Sequence, residues 1–232
     1  MSFAHSPKIV TDGLVLALDA GNTKSYPGTG TTWYDKSGYS NNGTLINGPT
    51  FNTGSLGSIV FDGVDDYINC TSLNVDYSAT FTANAWFKLS TLNRSNTVIG
   101  AGDGQVGPYP YWMITIPSNN YLQFWGYTPV YGNLNISYNT SLTNNLWYYA
   151  TVTYNSGNSI LYLNGNMVAS GTVLTSNNPN AKYTRLGYNT WAGGGISNYL
   201  NGNISQTSIY NRVLSSQEVL QNFNALRNRF GI

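Results

Sequence analysis

Short runs of apolar or alternating residues, separated by turn residues, recur along the whole chain. Runs rich in β-branched and aromatic side chains between Gly, Asn and Asp predict β-strands joined by tight turns. The predicted strands are residues 15–18, 58–61, 81–89, 111–116, 121–125, 147–154 and 159–163. The predicted turns are residues 47–49, 62–63, 102–104, 164–165, 193–195 and 201–202. Many short strands without intervening helices indicate a β-sandwich or a barrel.

The clearest local element is a β-hairpin over residues 159–168. Two β-rich runs flank Asn164-Gly165, a pair that tolerates the positive φ angles of a type I′ turn. Side chains alternate between the two faces of a strand, so residues 161 and 163 share one face and residues 160 and 162 the other. Since both faces are apolar, we expect a central strand that is covered on each side.

One helix is predicted at the end of the chain, over residues 215–230. Ser215 and Glu218 stand three positions apart, as in a capping box, in which each satisfies the other's backbone. The apolar residues that follow have helical spacing. They are Val219, Leu220, Phe223 and Leu226. We expect this apolar stripe to dock onto the sandwich or onto a neighbouring subunit.

Composition narrows the choice of fold and partner. Charged residues make up 8% of the chain and aromatic residues 14%, and Glu218 is the only glutamate, so an all-α fold is excluded. The formal charge is +1 and the cationic residues are scattered, which leaves no basic stripe for nucleic acid. At 232 residues we predict one domain over 1–232, with an N-terminal arm over 1–12.

Cysteine use and the N-terminal sequence bear on where the protein folds. Cys70 is alone, which excludes an internal disulfide and favours a reducing compartment. The first residues lack the basic start and apolar core of a signal peptide, and no apolar run is long enough to cross a membrane. The surface composition, poor in charge and rich in Asn, Ser, Thr and Tyr, suits a protein that meets the outside. A virion protein, folded in host cytoplasm and released by lysis, satisfies both observations.

Five segments carry a family resemblance in their order and spacing. They are a W-x-D-x-S-G-x-x-N-x-G loop at 33–43, a strand with an Asp-Gly turn at 61–67, an f-T-x-x-x-W strand at 81–87, paired strands at 147–165 and a closing G-x-I segment at 200–215. The chain thereby resembles the laminin-G-like jelly rolls of the concanavalin A-like lectin and glucanase superfamily. The resemblance implies an all-β fold: a two-sheet antiparallel jelly-roll sandwich with a short C-terminal helix. Residues 13–22 resemble the opening of phage structural proteins of this type.

A hydrolase reading requires carboxylates that the pattern does not supply. Glycoside hydrolysis needs two, roughly 5 to 9.5 Å apart. Glu218 is explained as a helix cap, and Asp62, in the cluster with Asp65 and Asp66, as turn chemistry. The sole histidine, His5, lies in the terminal segment, so no catalytic residue and no cofactor are predicted. A structural calcium ion near Asp62, Asp65, Asp19 or Asp35 is left open.

Exposed aromatic residues are the candidates for binding. Tyr109, Tyr127 and Tyr131 lie in aromatic segments interrupted by Gly and Pro, and Trp191 has small neighbours that cannot easily bury it. Such side chains stack on sugar rings, but they also occur in subunit interfaces, and the sequence favours neither use. The remaining tryptophans at 86, 112, 125 and 147 are expected to pack in the core or on a sheet face.

Three functions are carried forward in order of preference. The first is a non-catalytic phage virion protein, a capsid decoration or a tail or fibre component, located in the virion. Its partners would be copies of itself, other virion proteins and cell-surface glycans, with no nucleic acid and no membrane insertion. The second is a carbohydrate-binding lectin module, and a distant third is a glycan hydrolase. We expect an assembly protein to use the terminal helix or the first ten residues, and a lectin to use an aromatic cleft.

Overall fold

A computed structural model describes residues 7–71, 73–102, 112–128, 132–175, 183–188 and 198–232. Two antiparallel β-sheets pack face to face, and one helix follows them. This is the predicted jelly-roll sandwich. The predicted segment 111–116 is confirmed from residue 112 onward, and the predicted turn at 193–195 lies outside the described residues.

Sheet A has the strand order β14-β13-β12-β7-β16-β5-β4, and β1 also pairs with β16. Strand β16 pairs with β5 along its first residues and with β1 along its last, so the two strands share one edge of β16. The strands are β1 (Leu14–Asp19), β4 (Thr50–Asn52), β5 (Ser58–Asp62), β7 (Thr80–Leu89), β12 (Trp147–Asn155), β13 (Asn158–Leu163), β14 (Asn166–Thr172) and β16 (Asn201–Tyr210).

Sheet B has the strand order β11-β10-β9-β8-β15-β6-β3-β2. Its strands are β2 (Thr32–Trp33), β3 (Gly43–Ile46), β6 (Tyr67–Thr71), β8 (Asn96–Gly102), β9 (Trp112–Ile116), β10 (Tyr121–Thr128), β11 (Gly132–Ser141) and β15 (Tyr183–Leu186). Neighbours in this order are far apart in the chain, for example β8 and β15, as a jelly roll requires. Residues distant in sequence therefore meet on one face.

The core lies between the sheets, where alternate side chains from both interdigitate. At its centre Phe81 of β7 stacks on Trp112 of β9, with ring centroids 4.9 Å apart, and on Tyr154 of β12 at 5.1 Å. All three rings are buried. Trp112 is thus a core residue, as predicted, and Trp86 is buried on the other face of sheet A.

The helix α1 (Ser216–Phe230) covers that other face of sheet A. Phe230 stacks on Trp86 with ring centroids 4.1 Å apart, and Phe223 stacks on the same indole at 5.6 Å. The capping box of Ser215 and Glu218 is present as predicted. Of the two docking partners expected for its apolar stripe, the helix uses its own sandwich.

The N-terminal segment is tied to this helix by a buried amide. Asn222 Oδ1 accepts a hydrogen bond from the Val10 backbone N–H, and its Nδ2 donates to the Tyr210 hydroxyl. That hydroxyl donates to the Val10 carbonyl oxygen. Three elements are joined in this way: the segment before β1, the end of β16 and the middle of α1. Residues 7–12 of the predicted arm are therefore part of the fold.

One predicted turn and one predicted hairpin had opposite outcomes. Asn164 and Gly165 have φ angles of 51° and 79°, as the hairpin requires, and β13 lies between β12 and β14. The turn predicted at residues 201–202 was wrong, because both residues begin strand β16. A Cβ on Gly202 would collide with the carbonyl oxygen of Lys88, so this glycine permits a close approach between strands rather than a turn.

Candidate functional site

The outer face of sheet B carries a continuous row of cross-strand neighbours. Strand pairing places Thr44, Asn69, Arg185, Gly100, Met113, Trp125 and Asn135 side by side across seven strands. Residues one position away, such as Leu186 and Ile68, point into the core. The middle of the row is buried at Met113 and Trp125, whereas Asn69 and Arg185 are half-buried. Ligand access within the described residues is therefore greatest around Arg185.

Arg185 is surrounded by tyrosine rings. Its guanidinium carbon lies 3.8 Å from the ring centroid of Tyr183 and 5.3 Å from those of Tyr67 and Tyr188. Its Nε donates to Asn69 Oδ1 at 3.3 Å. Among the described residues, the two terminal nitrogens of Arg185 have no hydrogen-bond partner, and no carboxylate forms an ion pair with it. A planar cation is thus held in place with its outer edge open.

Two further ring contacts extend this cluster. Tyr188 stacks on Tyr199 with centroids 4.4 Å apart and an interplanar angle of 12°, and it lies 5.3 Å from Tyr67. Burial, together with the neighbouring Tyr199, raises the pKa of Tyr188 to about 12, so its hydroxyl stays protonated near neutral pH. We call the whole cluster the Arg185 patch; it consists of Tyr67, Asn69, Tyr183, Arg185, Tyr188 and Tyr199.

The patch combines the two kinds of group that recognise sugars. Half-buried aromatic faces at Tyr67, Tyr188 and Tyr199 suit the C–H side of a pyranose ring. The Asn69 amide and the Arg185 guanidinium supply donors for hydroxyl or charged substituents. Because stacking fixes these side chains, the surface is formed before any ligand arrives.

Only one of the four predicted binding residues can be placed. Tyr127 lies on β10 on the same outer face, half-buried, and its ring lies 6.4 Å from that of Trp125. Tyr109, Tyr131 and Trp191 lie outside the described residues. Trp191 belongs to the segment 189–197, which Tyr188 and Tyr199 flank in the sequence. The Arg185 patch thus adjoins one predicted binding segment.

The sequence prediction missed the residues of the Arg185 patch. The signal it could have used is the alternation in Tyr183-Thr184-Arg185-Leu186, in which a tyrosine and an arginine share one strand face. That alternation does not reveal the partners, because Tyr67 and Asn69 come from a strand more than one hundred residues earlier.

The acidic turn at residues 62–66 has the predicted local role. Asp62 Oδ1 accepts from the Val64 N–H at 2.7 Å, and Asp66 Oδ2 accepts from the Asp62 N–H at 3.0 Å. One carboxylate oxygen from each of Asp62, Asp65 and Asp66 lies within 4.8 Å of the others. Burial, and then the negative charges of Asp62 and Asp65, raise the pKa of Asp66. These contacts explain the cluster as turn structure.

The other carboxylates that the sequence singled out are engaged by protein donors. Asp35 accepts from the backbone N–H groups of Ala17, Ser37 and Asn41, which organises the early loop over 33–43. Asp19 receives the Arg229 guanidinium. Neither is left as a calcium ligand. Glu218 binds Arg212, which holds its pKa at about 2, so this carboxylate stays ionised and is unsuited to act as a general acid.

A cavity of about 360 Å³ lies on the opposite side of the sandwich. It is enclosed by the N-terminal segment, β1 and α1, and its lining includes Ile9, Leu18 and Leu226 with Lys8 and Lys36. No aromatic ring lines it. Stacking with a sugar is therefore a property of the Arg185 patch and not of this cavity. The described part of the chain has no helix with the length and apolarity needed to cross a bilayer.

Comparison with known proteins supports the fold. The profile of a laminin G family described as the concanavalin A-like lectin/glucanases superfamily matches residues 62–220, which is more than half of the chain. The chain belongs to this family. No curated protein sequence matches this concanavalin A-like domain.

Solved structures show the same architecture at low sequence identity. The receptor-binding domain of botulinum neurotoxin C/D mosaic serotype is 19% identical with a TM-score of 0.67, over 92% of this chain and 51% of that one. Botulinum neurotoxin type C, described as entering cells through interaction with two ganglioside molecules, is 20% identical with a TM-score of 0.66, over 94% and 52%. A Trypanosoma rangeli sialidase in complex with 2,3-difluorosialic acid is 16% identical with a TM-score of 0.67, over 94% and 33%.

This concanavalin A-like domain therefore spans about half the length of the toxin binding domains and a third of the sialidase. At these identities the likeness establishes the fold. Toxin binding domains and a sialidase contain the same architecture, which illustrates that the fold does not decide the activity.

Proposed function

We propose that this domain is a non-catalytic, lectin-like module that binds glycans on the outer face of sheet B. The observation that carries the proposal is the Arg185 patch, where half-buried tyrosine rings surround donors with free valence. Membership of a lectin and glucanase superfamily, and the glycan ligands named for two of the similar structures, support it by analogy.

The distribution of carboxylates favours binding over hydrolysis. Of the nine acidic residues, Asp103 lies outside the described residues, and the other eight are absent from the cross-strand row and the patch. Hydrolysis of the usual kind needs a carboxylic acid and a carboxylate on opposite sides of the bond that is cleaved. The described part of the face supplies aromatic rings, amides and a guanidinium instead.

Binding to immobilised glycan conjugates tests the proposal. The purified domain is passed over polyvalent conjugates that carry neutral and acidic oligosaccharides, and the wild-type protein is compared with Tyr67→Ala and Tyr188→Ala. We expect the wild type to bind at least one conjugate and each variant to lose about tenfold or more in affinity, since stacking on an aromatic ring is worth about 1 kcal/mol or more. Tyr39→Ala is the matched control, because Tyr39 is 62% exposed and lies outside the patch.

Absence of binding to every conjugate, or full binding by both patch variants, would reject a glycan site at the patch. Release of reducing sugar from the same oligosaccharides is measured in parallel. Steady turnover would replace the proposal with a hydrolase.

A role in a phage virion, with its location and its virion partners, stays a prediction from the sequence. The apolar stripe of α1 was one surface that an assembly protein was expected to use. Its two aromatic residues, Phe223 and Phe230, pack on Trp86 of the same chain. Light scattering of the purified protein tests assembly directly: a stable oligomer would favour a structural role, and a monomer would favour an independent binding module.

A further inference from the structure

We propose that Arg185 makes the patch selective for acidic sugars, those that carry a carboxylate or a sulfate, over neutral ones. The inference rests on the proposed function, since it requires that glycans bind at the Arg185 patch. It adds a ligand class and assigns the discrimination to one side chain.

The orientation of the guanidinium is the first step. The Tyr183 ring lies 3.8 Å from the guanidinium carbon, and Nε is held by Asn69 Oδ1. These two contacts fix the plane of the group and occupy its inner side. The outer edge, with the two terminal nitrogens, is left for a ligand. A guanidinium edge donates two parallel hydrogen bonds, which match the two oxygens of a carboxylate.

The charge of the site is the second step. In a structural role, a half-buried arginine usually pairs with a carboxylate, as Arg212 does with Glu218 and Arg229 with Asp19. Within the residues that the structure describes, Arg185 has no such partner, and its cation meets only tyrosine faces and one amide. The site therefore has a positive charge that an anionic ligand would compensate.

The nearest acidic residues do not neutralise this charge. Asp66 precedes Tyr67 in the chain, but it is buried and accepts a hydrogen bond from the Asp62 backbone. Asp62 is turned toward the Val64 N–H of its own turn. Two of the three carboxylates of the acidic turn are thus directed into that turn.

The arrangement of rings around the cation is the third step. Tyr67 and Tyr188 each lie 5.3 Å from the guanidinium and 5.3 Å from one another, with Tyr199 stacked behind Tyr188. A sugar ring stacked on these faces would hold its substituents within reach of the open edge of Arg185. Stacking then supplies affinity for any sugar, and the guanidinium adds affinity for those that bear a negative charge.

The experiment compares conjugates that share a core and differ in charge. The probes are lactose, 3′-sialyllactose, 6-sulfolactose and a glucuronic acid conjugate. For the wild type we expect tenfold or greater preference for at least one acidic probe over lactose, because a charged hydrogen-bonded contact typically contributes about that factor or more. The carboxylate and sulfate arms identify which anion the site accepts.

The deciding variant is Arg185→Gln, with Arg227→Gln as the matched control. Both remove one positive charge, but Arg227 is an exposed residue of the helix on sheet A. We expect Arg185→Gln to lose the acidic preference and to change lactose binding less than about twofold, and the control to retain the preference. Arg185→Lys keeps the charge without the planar fork, so we expect it to lose most of the preference for carboxylates.

The two proposals fail in different ways. Wild-type binding without acidic preference, lost in Tyr188→Ala but unchanged in Arg185→Gln, overturns the selectivity and leaves the glycan site standing. An equal loss of neutral and acidic binding in Arg185→Gln, with the fold intact by circular dichroism, also overturns the selectivity, since Arg185 then only supports the tyrosines. If no conjugate binds to the wild type, the glycan site itself is rejected.

Discussion

Arg229 and Asp19 join the end of the chain to its first strand, with Nη1 and Oδ1 2.6 Å apart across 210 positions of sequence. The same guanidinium donates to the backbone oxygens of Ser55 and Gly57 and to the Ser205 hydroxyl. The Arg229 side chain is 8% exposed and that of Asp19 is 28% exposed, so this is a largely buried charge with several acceptors. It connects α1, β1, β16 and the turn before β5.

Arg229→Ala is expected to destabilise the protein by about 2 to 3 kcal/mol, because it leaves the Asp19 carboxylate and two carbonyl oxygens without their donor. Urea unfolding followed by tryptophan fluorescence measures the loss. Arg227→Ala in the same helical turn is the control and should change stability by less than about 0.5 kcal/mol. Equal effects of the two substitutions would mean that the ion pair adds nothing to the anchoring of the helix.

The cap of α1 makes stability depend on pH in the acid range. Hydrogen bonds from Arg212, then from the Ser215 backbone and hydroxyl, lower the pKa of Glu218 from its usual value of 4.5 to about 2. A carboxylate whose pKa is lowered by folding stabilises the folded state above its unfolded pKa. That contribution is lost as the pH falls from 4.5 toward 2.

Glu218→Gln is therefore expected to unfold at a lower temperature than the wild type at pH 7, and the gap should close as the pH approaches 2. Thermal melts at pH 2, 3, 4.5 and 7 test the expectation. Gln217→Ala, at the exposed neighbouring position, should give a curve parallel to that of the wild type. A gap that stays constant with pH would show that the ionised carboxylate is not what stabilises the cap.

The elements that the sequence predicted correctly are those specified by nearby residues. Asn164-Gly165 forms its turn, and Ser215 with Glu218 forms its cap, because each needs only neighbours within three positions. The second partner of Glu218 is Arg212, which lies before the helix, and the pattern did not indicate it. Even the wrong turn at residues 201–202 has a local cause, since Asn-Gly occurs both in turns and where strands approach closely.

The candidate site was beyond local reasoning for the same reason. Strand pairing brings Tyr67 and Asn69 beside Arg185, and no spacing along the chain encodes that pairing. Sequence reasoning sought aromatic residues in Gly- and Pro-rich segments, which led to Tyr127 on the same face but also to three residues outside the described structure. An arginine without a carboxylate partner becomes visible only when its neighbours in space are known.

Gly57 is expected to tolerate no side chain. Its φ of 118° is unfavourable for any residue with a Cβ, and a Cβ at this position would collide with the carbonyl oxygen of Ala20. Gly57→Ala should cost about 3 kcal/mol or more, from backbone strain and a backbone clash together.

Gly30→Ala is the matched control for that measurement. Gly30 has a φ of 88°, but nothing lies within 4 Å of a Cβ built on it, so only the strain of about 1 to 2 kcal/mol remains. Comparison of the two variants by urea unfolding separates the clash from the strain. Similar losses in both would mean that β1 moves aside at little cost.

Cys70 is expected to be unreactive in the folded protein. Its side chain is fully buried in the core between the sheets, and burial, with the negative charge of Asp35, raises the pKa of the thiol to about 12. Only the thiolate attacks a disulfide reagent, and an accessible thiol with an ordinary pKa near 8.5 would react faster as the pH rises from 7 to 9.

Native protein treated with an aromatic disulfide reagent at pH 8 should therefore react only as fast as it unfolds, and should release one equivalent in 6 M guanidinium chloride. Cys70 is the only cysteine, so the assignment needs no variant. The reaction of the destabilised variant Gly57→Ala should be faster, because more of it is unfolded at any moment, while that of Gly30→Ala should change less. Rapid stoichiometric reaction of the native wild type, increasing with pH, would mean that the core opens at β6 without global unfolding.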